Sequence, residues 1–347
     1  MNYNKVYLES ICYELPPVVV TSHELEQRLA PLYKQLHIQA GQLQALTGIR
    51  ERRWWLPDTP LSQGAISAGE KALNHSGISA SDIGALVYTG VCRELYEPAT
   101  ACRVADGLGI GGKAFIYDIS NACLGVLNGI IDIANRIELG QIRAGMVVSS
   151  ESARELNETV IRRLLAREDM AFFARSVATL TGGSGSVAVV ISDGSFPDTP
   201  KHKLVGAVNR SAPQHHELCR WGVEETGEDL FEQFMNTDAV AVLKHGVELG
   251  KQTWEDFLGA LGWRTDTVDR VVCHQVGEAH QKTILRSIGI PLEKDFATYS
   301  FLGNMGTVSL PVTAAIGAER GHIRTGQRIA FLGIGSGLNC MMLGVEW

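Results

Sequence analysis

The chain of 347 residues has no uncharged apolar run approaching the ~20 residues that a bilayer-spanning helix needs. Met1 to Ser10 lacks the basic start and apolar stretch of a secretory signal. Basic residues are outnumbered 31 to 38, formal charge is −7, and no basic block stands out. Nucleic acid is therefore not an expected partner, although a locally basic mouth for a phosphorylated ligand stays open. The seven cysteines (Cys12, Cys92, Cys102, Cys123, Cys219, Cys273 and Cys340) are odd in number and form no C-x-x-C pair. They read as reduced thiols of a cytoplasmic protein, not as a disulfide framework or zinc site.

Several catalytic motifs are missing too. Gly107 to Lys113 has P-loop spacing, but Ala114 stands where Ser or Thr must hold Mg2+. No Ser lies in G-x-S-x-G, so a serine hydrolase is unsupported. His215-His216-Glu217 is not H-E-x-x-H, and His274, His280 and Cys273 show no metal-ligand spacing. Gly333-x-Gly335-x-Gly337 is not a dinucleotide fingerprint. It reads as a loop that lets backbone approach a site closely. Neither a metal nor a cofactor is expected.

What is present centres on Cys123. An apolar-alternating stretch, Ala114 to Ile119, ends in small and polar residues, and a nearly all-apolar segment follows from Leu124 to Ile137. This predicts strand, sharp turn and buried helix, with the thiol at the helix start. There the positive end of the helix macrodipole is expected to favour thiolate, a nucleophile at neutral pH. A buried, inert cysteine is the competing reading.

The segment from Cys123 is repeated from Asn304. Gly125, Glu138, Gly140, Ile142, Arg143 and Gly145 match Gly306, Glu319, Gly321, Ile323, Arg324 and Gly326 without a gap. Each copy then enters an apolar strand. Upstream, Leu86-Val87-Tyr88-Thr89 corresponds to Val271-Val272-Cys273-His274, each after an amphipathic stretch (Gln63 to Asn74; Val240 to Leu258). His274 thus sits at a strand's C-terminal end, the rim where open α/β sheets bind ligands. Alternating strands and helices predict an α/β protein with parallel strands, built from two halves around a pseudo-twofold axis. Glycines near the starts of both buried helices, Gly125 and Gly306, would let those helices approach. Cys123, Asn304 and His274 then converge on one site.

This Cys/His/Asn set, in Asn121-Ala122-Cys123-Leu124-Gly125, Cys273-His274-Gln275-Val276-Gly277 and Gly303-Asn304-Met305-Gly306, resembles the thiolase superfamily, and most of all its ketoacyl synthase III branch. Leu46-Thr47-Gly48-Ile49-Arg50 and the Gly333 to Gly337 loop support the resemblance, which spans essentially the whole chain. It implies the five-layered αβαβα thiolase fold and a homodimer. The halves are placed at 1–195, carrying Cys123, and 196–347, carrying His274 and Asn304. By the resemblance, Cys123 takes an acyl group from a thioester. His274 and Asn304 donate hydrogen bonds to the thioester oxygen of the second substrate, stabilising the charge that develops when its carbanion forms. Asn304 also reads as a helix N-cap, a use compatible with donation.

Glu97, in Leu95-Tyr96-Glu97-Pro98, stands where synthase III proteins usually carry an apolar residue of the dimer contact. A carboxylate in a largely apolar contact gains proton affinity, which suits a base. With the other motifs, this resembles the branch that joins two long-chain fatty acyl-CoA molecules head to head without decarboxylation, at the start of olefin biosynthesis. The resemblance implies a 2-alkyl-3-ketoacyl product and Glu97 acting in the partner subunit's site. Two departures from synthase III agree. No Trp precedes Thr47-Gly48-Ile49-Arg50, and Gln-Val-Gly rather than Gln-Ala-Asn follows His274. The alternatives are a decarboxylating 3-oxoacyl-(acyl-carrier-protein) synthase III and a thioester hydrolase or acyl carrier. Whether the second chain arrives on CoA or on acyl carrier protein stays open. An insertion at about 155–180, with Leu156, Val160 and Leu164 at helical spacing, is expected to form a lid or wall over acyl channels. Arg162, Arg163 and Arg167 within it are candidates for a CoA phosphate.

Overall fold

The computed structural model describes residues 1–167, 169–197, 201–227 and 230–347. Glu168, within the expected helical insertion, lies outside them. The described strands are β1 (Tyr7–Glu14), β2 (Val18–Thr21), β3 (Glu51–Trp54), β4 (Ile83–Thr89), β5 (Phe115–Ile119), β6 (Ala144–Glu151), β7 (Gly185–Ser192), β8 (His202–Ser211), β9 (Cys219–Gly227), β10 (Leu230–Thr237), β11 (Arg270–Cys273), β12 (Arg328–Gly335) and β13 (Asn339–Glu346). Nine of them form one sheet in the order β11-β12-β13-β8-β1-β7-β6-β4-β5. Its two flanks join through two residue pairs between β1 and β8, Tyr7 with Lys203 and Leu8 with His202. Each flank contains a parallel pair, β4 beside β6 and β11 beside β12. All eight residues of β6 and of β7 are buried. A strand covered on both faces lacks strict polar alternation, and here the middles are apolar runs, Met146-Val147-Val148 and Val187-Ala188-Val189-Val190-Ile191.

The two repeated helices, Gly125–Glu138 and Ser309–Glu319, fill the middle of the molecule. The second is buried without a break from Ser309 to Gly317. A single core holds Ile130, Ile133, Val312 and Ile316 of these helices with Val87 and Val147 of one flank and Val272 and Phe331 of the other. Each such side chain contributes about 1.5–3 kcal/mol by leaving water. The outer face of the first flank is covered by helices Leu61–Ser76 and Thr100–Leu108, through Ala65, Ala68 and Val104. That of the second is covered by Ala239–Leu261 and Glu278–Ile288, through Phe257, Ile284 and Leu285. Helix, sheet, helix, sheet, helix is the five-layered thiolase architecture expected from the sequence.

The stretches Gln63–Asn74 and Val240–Leu258 are the cores of two of these outer helices. Each runs further than the periodicity indicates because it ends at a left-handed glycine, Gly77 or Gly262. Helices Arg154–Arg167 and Met170–Leu180 occupy the insertion and pack beside the hairpin β9–β10, which the sequence did not suggest. Among the described residues, no helix is long and apolar enough to cross a membrane.

Candidate active site

Strand β5 stops at Ile119 and the chain reverses sharply. The Leu124 N–H donates to Asn121 O at 2.9 Å and the Gly125 N–H to Ala122 O at 3.3 Å. Ala122 has φ +43°, a region that non-glycine residues rarely adopt. The turn presents Cys123 just ahead of the helix, whose first residue is Gly125 and whose cap is Leu124. Strand, turn and helix fall where the residue pattern placed them. Gly335, expected in a loop, is instead the last residue of strand β12, and it comes up against this turn. A Cβ there would stand 3.4 Å from the Cys123 nitrogen.

Asn304 is held by its backbone. Its N–H donates to Thr181 O at 3.0 Å, and its carbonyl accepts from Gly183 N–H at 2.9 Å. Gly303 makes this approach feasible, since its φ is +70° and a Cβ would lie 2.5 Å from Thr181 O. The side-chain Oδ1 accepts the Gly306 N–H at 3.1 Å. This bond closes a local turn and is not the helix cap expected, since the chain enters its helical turn Gly306–Val308 through Met305 and helix Ser309–Glu319 through Val308. It leaves the amide NH2 to donate elsewhere.

His274 follows β11, and its N–H donates to Leu332 O at 2.9 Å. Both of its neighbours in sequence are clamped. The Cys273 N–H donates to Asp295 Oδ1 at 3.1 Å, and Gln281 Nε2 donates to Asp295 Oδ2 at 2.6 Å. The Gln275 side chain donates to Cys273 O at 2.7 Å and accepts the Thr298 and Tyr299 amides at 2.8 and 3.0 Å. Burial, with the nearby His280, pushes His274 down to about 3. The imidazole is thus neutral at pH 7 and can serve as a hydrogen-bond donor.

Cys123, His274 and Asn304 all line one cavity of about 740 Å³. Its far walls are apolar, with Leu156 and Val177 from the insertion, Trp221, Phe234 and Met235 from the hairpin, and Leu243. An acyl chain entering such walls gains about 0.8 kcal/mol per buried CH2. The cavity therefore brings together a thiol, a neutral imidazole and a carboxamide within largely apolar walls.

The electrostatics of Cys123 correct the expectation of a macrodipole-stabilised thiolate. Burial, then the charges of Cys219 and Glu151, push the thiol up to about 12. The dipole's influence falls off within the first turn, and a negative charge in this apolar recess costs more than the helix end returns. The resting group is a thiol.

The sequence did not single out Glu151 or Cys219, which line the cavity beside Cys123, and it weighed His280 only as a metal ligand. Glu151 closes the eight-residue buried strand β6. Its carboxylate accepts the Val91 and Cys92 amides at 3.0 and 3.1 Å, and burial raises its proton affinity. A carboxylate at the end of a strand with an apolar run, Met146-Val147-Val148, was the available signal. Arg162 and Arg163 form ion pairs with Glu232 and Glu224, and Arg167 lies 4.9 Å over the Phe172 ring. The two ion pairs tie the insertion to the hairpin, Arg167 packs within the insertion, and none of the three lines the cavity; Arg220 does.

Glu97 is not brought to the other three within its own chain. It is exposed on the loop between β4 and helix Thr100–Leu108 and is absent from the cavity wall. Tyr96 beside it is 98% exposed, and Leu95 and Phe115 of the edge strand β5 are about half exposed. Among the described residues no cluster of His, Cys, Asp and Glu could hold a metal ion.

Residues 258–347 match the family model for the C-terminal part of 3-oxoacyl-[acyl-carrier-protein] synthase III. The chain is 59% identical to the acyl-CoA:acyl-CoA alkyltransferase of Shewanella oneidensis and 34% identical to that of Xanthomonas campestris, in each case over 100% of both chains. A crystal structure of a cysteine-to-alanine variant of Xanthomonas campestris OleA superposes with TM-score 0.93 at 34% identity, covering 100% of this chain and 98% of that one. A cysteine-to-serine variant of the same enzyme, with bound lauric acid and lauroyl-CoA, superposes with TM-score 0.91 at 34% identity, covering 99% and 100%. With its thiolase fold and full-length identity to these relatives, the chain belongs to the acyl-CoA:acyl-CoA alkyltransferase (OleA) family of synthase III-like condensing enzymes.

Proposed function

We propose that the protein joins two long-chain fatty acyl-CoA thioesters by a non-decarboxylating Claisen condensation, through an acyl group held on Cys123. The convergence of Cys123, His274 and Asn304 on one apolar-walled cavity carries this reading. The Cys123 sulfur attacks the first thioester carbonyl. The carbon–sulfur bond to CoA breaks, and CoA leaves as its thiol with the proton that Cys123 gives up. A base then takes the α-proton of the second acyl-CoA, while His274 and the Asn304 NH2 donate to the thioester oxygen of the resulting enolate. Its α-carbon attacks the acyl-Cys123 carbonyl. The new carbon–carbon bond gives a 2-alkyl-3-ketoacyl-CoA, and Cys123 departs and regains a proton. Each oxyanion donor lowers the barrier by about 2.7–4 kcal/mol.

The base in this reading is Glu97 of the partner subunit. Its exposure in its own chain, with Tyr96, Leu95 and the apolar edge strand β5 around it, favours a homodimer contact there. The outer edge of the short strand β5 has no neighbouring strand in its own chain and is open to pairing. The halves divide at 195/196, and the insertion at about 155–180 walls the acyl channel. Seven free thiols suit a reducing compartment, the cytoplasm. The second chain arrives on CoA. A carrier-protein donor is the competing reading, favoured by the synthase III match.

Intact-protein mass spectrometry tests the first step. After exposure to a long-chain acyl-CoA the protein should gain one acyl group, and Cys123→Ala should gain none. An unmodified wild type would defeat the mechanism.

A further inference from the structure

His280, on the helix Glu278–Ile288, is 9% exposed and lines the large cavity together with His274, which is 5% exposed. A second cavity of about 20 Å³ is also lined by both histidines, with Gly250, Ile284 and Gly333 among its apolar neighbours. That volume exceeds the ~10–15 Å³ needed for one water. The Nδ1 atoms of His274 and His280 are both buried, and neither has a hydrogen-bond partner. A neutral imidazole carries one proton, and the nitrogen that holds it is fixed by the bond the other nitrogen makes. No protein group makes that bond to His274.

We propose that His280 is a positioning residue acting through a single water in the small cavity. Its Nδ1–H donates to the water, and the water donates to Nδ1 of His274. The His274 proton is thereby held on Nε2, the nitrogen left to serve the large cavity. Donation to the thioester oxygen requires this tautomer, so the inference deepens the reading above and rests on it for the use of that proton.

The test is nitrogen-15 NMR of the full-length protein labelled at histidine, with long-range proton correlations assigning the tautomer of His274 in the absence of substrate. Wild type should show His274 protonated on Nε2. His280→Phe should shift His274 towards the Nδ1–H form and lower condensation kcat by about 10–100-fold, as losing the group that orients a functional imidazole does, with acylation of Cys123 retained. His280→Asn, whose amide nitrogen stands near the lost Nδ1, should restore the tautomer and most of kcat. A wild-type His274 protonated on Nδ1 overturns the proposal. So does a His280→Phe spectrum identical to wild type, or an Asn variant as impaired as the Phe variant. If His280→Phe does not fold, the wild-type and Asn spectra still decide. Because the tautomer is read without substrate, failure of the condensation reading would appear separately, as absence of product with the spectra as proposed.

Discussion

The backbone N–H of Val126 donates to Thr307 Oγ1 at 2.8 Å, across 181 residues of chain. The same offset carries Cys123 onto Asn304. Equivalent residues of the two repeats therefore touch, three positions on from Cys123 and Asn304. Gly125 permits the contact, since a Cβ there would crowd Thr307 Oγ1 at 3.2 Å and the Gly90 nitrogen at 3.3 Å.

Thr307→Val keeps the shape of the side chain but removes the acceptor, leaving the Val126 N–H buried and unpaired. Denaturant unfolding should show a loss of about 1–3 kcal/mol. An unchanged midpoint would mean that the inter-repeat contact does not stabilise the fold.

With burial, Cys219 and Glu151 pushing its thiol up to about 12, Cys123 is protonated across the neutral range. Its alkylation by iodoacetamide, followed by peptide mass spectrometry, should rise about tenfold per pH unit from near pH 7 to beyond pH 9, because only thiolate reacts. A plateau below pH 8 would instead reveal a thiolate stabilised by the helix end.

Burial pushes Asp295 up to about 7 from an ordinary 3.8. The folded state binds this proton more tightly than the unfolded chain. Its stabilising contribution is therefore complete below pH 4 and declines as pH rises through 7. The stability of wild type minus that of Asp295→Asn should fall by up to about 4 kcal/mol between those limits. A difference that grows with pH would reverse the assignment. Because Asp295 anchors the Cys273 amide, it also holds the strand end from which His274 projects.

If Glu97 serves the partner's site, Glu97→Ala should condense nothing yet still acylate Cys123, and Cys123→Ala should do neither. Mixed dimers of the two variants rebuild one complete site, with Cys123 of one subunit and Glu97 of the other. Co-expression should restore condensation, whereas two variants that stay inactive together would place the base elsewhere.

Much of this site was legible because its signals are local. A strand ending in small residues before an apolar helix marks the turn at Cys123, and an ungapped repeat marks Asn304. What was not legible depends on residues far apart in sequence. The thiol's electrostatics come from Cys219 on the hairpin and Glu151 on β6, and neither lies near Cys123 in the chain. Arg162 and Arg163 looked available for phosphate until the hairpin supplied Glu232 and Glu224. The role proposed for Glu97 belongs to a surface, and no periodicity within one chain describes its neighbours.

The central claim is that the attacking carbanion comes from a second fatty acyl-CoA. Purified protein given a single long-chain acyl-CoA, with no malonyl donor and no carrier protein, should form the 2-alkyl-3-ketoacyl product or the ketone left by its hydrolysis and decarboxylation, and release CoA. Product that appears only when malonyl thioester is supplied, or release of free fatty acid alone, would contradict it.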